Sequence, residues 1–243
     1  ALHNAVCSEI IKFRRNKMAW VGTLIIVTIP LFMIWNRLVI DPQREYMEWL
    51  MSVLMLNTLI LPIVNGFVIT SNMQREYQDR TIRNVLTAPV SREKFLTAKL
   101  SVWFLWYLIS FCLSEVIVIA GCYILFPVEF TTGNMRYALS LFTQNNFFSF
   151  IVGIPILLIC VKQQALFYPS MLATLGSAVL QAAGLQVSEE LILPACICPW
   201  TAVSISGMVG WGTQFWRICM ITITVCGIIG FIGALVSFKR QDQ

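Results

Sequence analysis

The chain has 243 residues, of which 58% are hydrophobic and 12% are charged, and its formal net charge is +5. Soluble domains carry about 25% charged residues, so this composition excludes an ordinary soluble protein and indicates an all-α, polytopic membrane protein. The positive charge does not require a nucleic-acid partner, because membrane proteins concentrate Lys and Arg in their cytoplasmic loops.

Uncharged segments long enough to cross a bilayer recur along the chain. A helix needs about 20 apolar residues to span a hydrocarbon core of about 30 Å. Six crossings are predicted, at residues 18–38, 47–73, 97–127, 137–161, 164–185 and 215–238. A further apolar stretch, 186–214, contains Pro194, Pro199 and three glycines. An interrupted backbone in lipid needs protein or water to cover its polar groups, so we predict an outer, partly re-entrant segment there.

The basic residues predict the orientation of these crossings. Loops on the cytoplasmic side are enriched in Lys and Arg. Six crossings with both termini in the cytoplasm place thirteen of the 17 basic residues on that side. These residues are Lys12, Arg14, Arg15, Lys17, Arg75, Arg80, Arg83, Arg92, Lys94, Lys99, Lys162, Lys239 and Arg240. Seven crossings would break this agreement.

Residues 1–17, before the first crossing, have an amphipathic helical pattern. The apolar positions at helical spacing are Leu2, Val6, Ile10, Phe13 and Trp20, and the polar positions turned elsewhere are Glu9, Lys12, Arg15 and Asn16. The pattern predicts an interfacial helix with its basic side toward anionic headgroups. A cytoplasmic extension of the first crossing fits the periodicity equally well.

Residues 74–96 are a charged segment between two uncharged stretches. Glu76 precedes Arg80, and Asp79 precedes Arg83, by four positions, which is the order that supports a helix. A charge run is usually a solvated loop. This one is longer than most connections, so we predict a structured cytoplasmic hairpin.

The same segment carries an apolar stripe and a break. Ile82, Val85 and Leu86 fall on one side of the first predicted helix. Pro89 ends that helix, since proline lacks an amide hydrogen and restricts the residue before it. Ser91 is predicted to cap a second helix that begins at Arg92 and continues into the third crossing. Because the stripe needs a partner surface, we predict that the hairpin docks on another protein.

The stretch DRTIRNVLTAPVSREKFLTAKL, residues 79–100, resembles the cytoplasmic loop of bacterial ABC-2 type permeases. In that family an acidic residue, a threonine-led short helix, a proline turn, a Ser/Arg pair and a lysine entering the next helix recur. EIIKFRRNK near the start and SFKRQDQ at the end are also similar to the family, so the resemblance spans the chain. The subgroup it most resembles protects cells against lantibiotics and bacitracin. One departure is Arg80, where many relatives have glycine.

The resemblance implies the permease subunit of an ATP-binding-cassette exporter in the bacterial cytoplasmic membrane. The chain has no GxxxxGK[ST] loop for phosphate, so ATP hydrolysis is expected in a partner that binds ATP and Mg²⁺, and no cofactor or metal is expected on this chain. The implied partners are two ABC ATPase subunits, a second permease chain, identical or homologous, and membrane lipids. The implied cargo is an amphipathic compound, such as a lantibiotic or a bacitracin-like peptide, extruded or extracted from the membrane.

The family's hairpin inserts into a groove on the ATPase, which gives roles to named residues. The residues implied in coupling are Glu76, Asp79, Arg80, Thr81, Ile82, Arg83, Val85, Leu86, Pro89, Ser91 and Arg92. Charged residues at the rim of such a contact set its orientation. Glu9, Lys12 and Arg15 belong to the predicted interfacial helix.

Polar side chains also lie inside predicted crossings. A central charge costs about 2.5 to 3.5 kcal/mol on insertion scales, so Glu115 is expected to face protein or water. Three alternatives remain for Glu115: it lines the path of a cationic peptide, it is protonated and hydrogen-bonded to a neighbouring helix, or it lies nearer the membrane edge. Gln144, Asn145 and Asn146 either bond to neighbouring helices or line a substrate surface.

The cysteines offer little chemistry. The motif CICP, at residues 196–199, faintly resembles the cysteine-proline metal sites of transport ATPases, but no further ligands are evident nearby. Five other cysteines lie in apolar runs, where a thiol behaves as a small hydrophobic group.

Two other function classes remain as alternatives. An intramembrane enzyme or assembly factor needs a convergent set of catalytic groups, which Glu115 alone does not supply. A channel or secondary transporter is expected to show broken helices at matching positions in two halves, and no internal repeat is evident.

Overall fold

The architecture comes from a computed structural model that describes residues 2–78, 92–164 and 166–240, with the backbone alone at 2–5 and 92. This part of the chain is helical, without strands. Its α-helices are α1 (Leu2–Arg14), α2 (Lys17–Val39), α3 (Tyr46–Gln78), α4 (Arg92–Leu125), α5 (Thr132–Gln163), α6 (Tyr168–Gly184), α7 (Ile192–Ile197), α8 (Pro199–Met208) and α9 (Gln214–Lys239), with a 3₁₀ turn at Glu189–Leu191.

Five of these helices, α2, α3, α4, α5 and α9, are long and apolar enough to cross a membrane. The prediction of an all-α membrane protein with several crossings is confirmed. Helix α6 has 17 residues and is about 26 Å long at 1.5 Å per residue, slightly less than the hydrocarbon core of about 30 Å. The sixth crossing and the position of the termini therefore stay predictions.

Local sequence signals fix several helix ends. Asn16 caps α2 by accepting a hydrogen bond from the Met18 amide at 3.0 Å. Thr131 and Thr213 cap α5 and α9 in the same manner. In the predicted outer segment, Cys198 is extended and Pro199 opens α8, so α7 and α8 are two short helices rather than one long one. The break follows from proline's preference for the first helical turn.

The helices pack around three hydrophobic clusters. One joins α1 to α2, α3, α4, α5 and α9 and contains Phe13, Met73, Phe95 and Trp103. A second lies around Trp49 near the other end of the bundle, and a third lies between α8 and α9. Because helices alternate in direction, α1, the end of α3 and the start of α4 meet at one end of the bundle, which we term the α1 end and predict to be cytoplasmic.

Candidate coupling site

Two glutamates and two lysines meet at the α1 end, and we term them the buried ion cluster: Glu9, Lys12, Glu76 and Lys99. Three of them are buried, and the Lys12 side chain is 44% exposed. Lys99 Nζ lies 2.9 Å from Glu9 Oε2 and 3.2 Å from Glu76 Oε1. Lys12 Nζ lies 3.0 Å from Glu9 Oε1 and 3.1 Å from Glu76 Oε1. Each lysine therefore bridges both carboxylates, and the cluster joins α1, α3 and α4.

Helical periodicity brings Glu76 and Lys99 into the cluster. Glu76 follows Ile69 and Met73 on the buried stripe of α3, and all three are at most 6% exposed. Lys99 lies between Leu96 and Trp103 on the buried stripe of α4 and is 0% exposed. Spacings of three and four residues keep side chains on one helix face. The packing of α3 against α4 therefore places Glu76 and Lys99 next to each other in the interior.

The cluster pairs two carboxylates with two amines, so its formal charges cancel and the cost of burying them is reduced. A buried ion is costly unless partners and hydrogen bonds compensate for its lost hydration. The Phe95 ring adds a cation–π contact, with Lys99 Nζ 5.3 Å and Lys12 Nζ 5.9 Å from its centroid. Partial burial by itself lowers the pKa of Lys12, but the hydrogen bonds and charges of Glu9 and Glu76 outweigh it and raise that pKa above its usual value. Lys12 therefore stays protonated at physiological pH.

Further contacts tie α5 and α9 to the same end of the bundle. Phe95 of α4 stacks on Phe238 of α9 at a centroid distance of 5.8 Å. Glu93 and Lys239 form an exposed ion pair between the same two helices. Tyr77 of α3 donates a hydrogen bond to the Val161 carbonyl of α5 at 3.2 Å. The end of α3 and the start of α4 are thus in direct contact with α1, α5 and α9.

The structure brings only some of the predicted coupling residues into this site. Glu76 is a member of the buried ion cluster. Arg92 is the first residue of α4, and its predicted cap, Ser91, lies outside the described residues. The remaining predicted coupling residues lie outside the described residues: Asp79, Arg80, Thr81, Ile82, Arg83, Val85, Leu86, Pro89 and Ser91. That segment, 79–91, connects two helix ends that the cluster holds together.

The interfacial-helix residues divide between the cluster and the surface. Glu9 and Lys12 join the cluster, whereas Arg15 is exposed just beyond α1. The buried face of α1 differs from the predicted one, because Glu9 is buried and Ile10 is exposed; beyond α1, Asn16 is likewise buried and Trp20 exposed. The physical reason is that α1 packs on α4, where Lys99 provides a partner for Glu9.

A second polar network lies inside the bundle around Glu115. Its Oε1 accepts a hydrogen bond from Asn146 Nδ2 at 3.1 Å, and its Oε2 accepts one from Thr143 at 3.1 Å. Asn57 Nδ2 donates to Asn146 Oδ1 at 2.7 Å, and Tyr107 donates to the Asn146 carbonyl at 2.8 Å. The network joins α3, α4 and α5, so Glu115 is hydrogen-bonded to a neighbouring helix, and its role in a substrate path stays a prediction.

The other predicted polar residues of α5 also bond within the chain. Asn145 Nδ2 donates to Thr58 at 2.9 Å, and Gln144 Nε2 donates to Ser140 at 3.0 Å. Within the described residues, Asn57 Oδ1 and Asn145 Oδ1 are buried acceptors that receive no hydrogen bond. Polar side chains of α3 and α5 thus leave two free acceptors near the Glu115 network.

Sequence reasoning missed three participants in these networks. Lys99 was counted only as a cytoplasmic charge, although its spacing from Leu96 and Trp103 places it on an apolar stripe. Asn57 and Asn65 were not singled out, and Asn65 accepts a hydrogen bond from the Trp103 indole at 2.7 Å. A polar residue on an otherwise apolar helical stripe is the signal that identifies all three.

Metal chemistry finds no support in the described ranges, where no group of three or more His, Cys, Asp or Glu side chains is placed to hold an ion. Cys196 and Cys219 are buried in the hydrophobic cluster between α8 and α9.

The bundle and its buried ion cluster define a multi-pass membrane protein whose α1 end is built around the ends of α3 and α4. The model of the family described as ABC-2 family transporter protein matches residues 5–179, and the chain belongs to this family. A search of curated proteins finds no match to this chain. Membership of this family implies that the chain is a membrane subunit of an ABC transporter and that its partner is an ABC ATPase.

Proposed function

We propose that this chain is the permease subunit of an ATP-driven exporter and that segment 79–91 couples it to the ATPase. The observation that carries the proposal is the buried ion cluster. Glu76 lies three residues before that segment, and Lys99 lies eight residues after it. A push on the segment therefore acts on two helices that are already joined to each other and to α1.

The coupling proposal assigns separate tasks to the two kinds of residue. Ile82, Val85 and Leu86 fill a groove on the ATPase, while the charges of Asp79, Arg80 and Arg83 orient the contact. The buried ion cluster transmits the displacement, because ion pairs and packed aromatic rings resist independent movement of α1, α3 and α4. Two ATPase subunits and two permease chains are expected, since one chain has one such segment.

The proposed cargo is an amphipathic compound, with cationic antimicrobial peptides of the lantibiotic or bacitracin type as the leading class. Support comes from the resemblance of the chain to that subgroup, whose permeases are short and lack a large extracellular domain. Within this proposal, Glu115, Gln144, Asn145 and Asn146 belong to the substrate path. These side chains are buried in the resting bundle, so separation of α5 from α3 and α4 would expose the Glu115 carboxylate and the free amide oxygens.

Co-purification with the ATPase tests the docking step. In the double variant Val85→Asp/Leu86→Asp, two carboxylates enter the apolar stripe, and we expect loss of the ATPase from the purified complex with normal membrane insertion. Asn84→Asp is the matched control, because residue 84 falls on the opposite side of the predicted helix and this change also adds one carboxylate. Retention of the ATPase by the double variant would contradict the proposed docking surface.

A separate measurement tests the transmission step. Glu9→Gln removes the charge that joins α1 to Lys99 but leaves segment 79–91 intact. We expect the ATPase to remain bound while peptide export per ATP hydrolysed falls severalfold. Unchanged export in reconstituted vesicles would exclude a role for the cluster in transmission.

A further inference from the structure

A membrane-facing groove lies between α1, the first two turns of α2, and α4. It has a volume of about 410 Å³. Its walls are mostly hydrophobic and include Phe13, Trp20, Leu105, Trp106, Ile109 and Leu113. Several of these side chains are about half exposed, so the groove opens to the side of the bundle.

The depth of the groove matches one leaflet. On α2 it begins near Ala19, two residues after the helix starts at Lys17. Along α4 it extends from Val102 to Leu113, which corresponds to about 16 Å at 1.5 Å per residue. Half of a hydrocarbon core of about 30 Å is about 15 Å. With the predicted crossings, we therefore expect the groove to run from the membrane surface at the α1 end to the middle of the bilayer.

The polar groups in the groove satisfy one another and leave an apolar lining. The Trp106 indole donates a hydrogen bond to Thr23 at 2.9 Å, and the hydroxyls of Thr23 and Ser110 lie 3.2 Å apart. No polar ligand is needed to complete these bonds, so the interior suits a hydrocarbon chain.

The rim of the groove is basic. Arg14 lines the mouth and is exposed, and Arg15 and Lys17 are exposed beside it. No carboxylate lines the groove, and Arg14 has no ion pair among the side chains that the structure describes. The Trp20 indole donates to the Arg14 carbonyl at 3.0 Å, which links the end of α1 to the start of α2 beside the mouth. This charge attracts an anionic headgroup and repels a cationic peptide.

We propose that this groove binds an anionic phospholipid of the leaflet at the α1 end, with one acyl chain along α4 and the phosphate beside Arg14. The site is separate from the proposed docking of the ATPase and requires only that the chain lies in a bilayer. A bound lipid there fills the space between α1 and α4 on the membrane side of the buried ion cluster.

Lipid retention by the purified full-length chain tests this site. The protein is washed in detergent, incubated with equal amounts of phosphatidylglycerol and phosphatidylcholine, and analysed by native mass spectrometry without the ATPase. We expect about one tightly held phosphatidylglycerol per chain. Arg14→Gln should reduce the preference for phosphatidylglycerol about fivefold, as expected for one basic residue at an anionic surface. Arg14→Lys should keep most of the preference.

Matched variants separate the groove from general surface effects. Ile109→Trp fills the groove and should abolish tight retention, whereas Val116→Trp adds similar bulk two turns further along α4, outside the groove, and should retain the lipid. Arg15→Gln controls for the loss of one nearby charge. Equal retention of both lipids by the unaltered protein, or tight retention by Ile109→Trp, would overturn the proposal. Gel filtration of each variant verifies that it is folded.

Discussion

At the scale of single residues, Lys99 is the most constrained side chain of the site, because it is 0% exposed and contacts two carboxylates. Lys99→Met should destabilise the protein by about 3 to 5 kcal/mol, since removal of one partner leaves buried charges uncompensated. Thermal and denaturant unfolding in detergent measure this effect. Lys94→Met, an exposed position on the same helix, should change stability by less than about 0.5 kcal/mol. Equal effects of both changes would contradict the assigned role of Lys99.

The Glu115 carboxylate provides a second prediction at this scale. Glu115→Leu leaves the amide of Asn146 without its acceptor and should cost about 1 to 3 kcal/mol. Glu115→Gln keeps one carbonyl acceptor, and the Thr143 hydroxyl can turn to accept from the new amide, so its cost should be smaller. The unfolding midpoints of the two variants measure this difference in stability. A Gln variant as unstable as the Leu variant would show that the charge itself is required.

The sequence predicted the importance of single residues unevenly. Glu76 and Glu9 were singled out for docking and for an interfacial helix, but their partner was missed, because nothing local indicates that residues 9 and 99 meet. A lysine on an apolar stripe is detectable from periodicity, whereas the identity of its partner depends on how α1 packs against α4. The partners of Glu115 also depend on helix packing, so the sequence predicts a hydrogen-bonded Glu115 only as one of three alternatives.

At the scale of elements, α5 and α9 pack closely because a glycine faces a proline. A Cβ atom added to Gly230 would lie 2.7 Å from the Pro155 backbone nitrogen, which cannot move without displacing α5. Gly230→Ala should therefore destabilise the protein by about 1 to 3 kcal/mol through overpacking. Gly176→Ala is the control, since nothing lies within 4 Å of the added atom and alanine favours a helix. Gly230→Ala should unfold at a lower midpoint than Gly176→Ala. Coincident unfolding curves would contradict this helix contact.

The sequence predicted the existence of the long helices better than their ends. The crossing predicted at 47–73 lies within α3, which continues to Gln78, and the crossing predicted at 97–127 corresponds to α4, which begins at Arg92. At about 50 Å each, these helices exceed the membrane thickness. Their extensions persist because Glu76, Phe95 and Leu96 are buried against neighbouring helices, and hydropathy alone does not report such contacts.

At the scale of the whole molecule, the number of crossings determines on which side the segment between α6 and α9 lies. Six crossings place Leu191, which is 59% exposed, outside the cell, whereas five place it inside. In a cysteine-free background we expect Leu191→Cys to react with a membrane-impermeant maleimide in intact cells. Lys94→Cys should react only after permeabilisation. Protection of Leu191→Cys in intact cells would favour five crossings.

The class of protein was predictable from composition, and the family from residues 79–100. Neither prediction requires knowing which distant residues are in contact. The placement of α7 and α8 was foreseen only as an interrupted segment, since prolines indicate a break without specifying which helices cover it. The groove between α1, α2 and α4 was not predicted at all, because it arises from three segments that are distant in sequence.

The separation of Glu9 and Lys99 by 90 residues also has a consequence for biosynthesis. At about 5 to 20 residues per second, the ribosome completes Lys99 roughly 5 to 20 seconds after Glu9. Until the third crossing is inserted, the acidic side chain of α1 has no lysine from α4 to meet and remains hydrated. Nascent chains arrested before residue 99 should therefore leave α1 open to proteases, and chains arrested well beyond it should protect it.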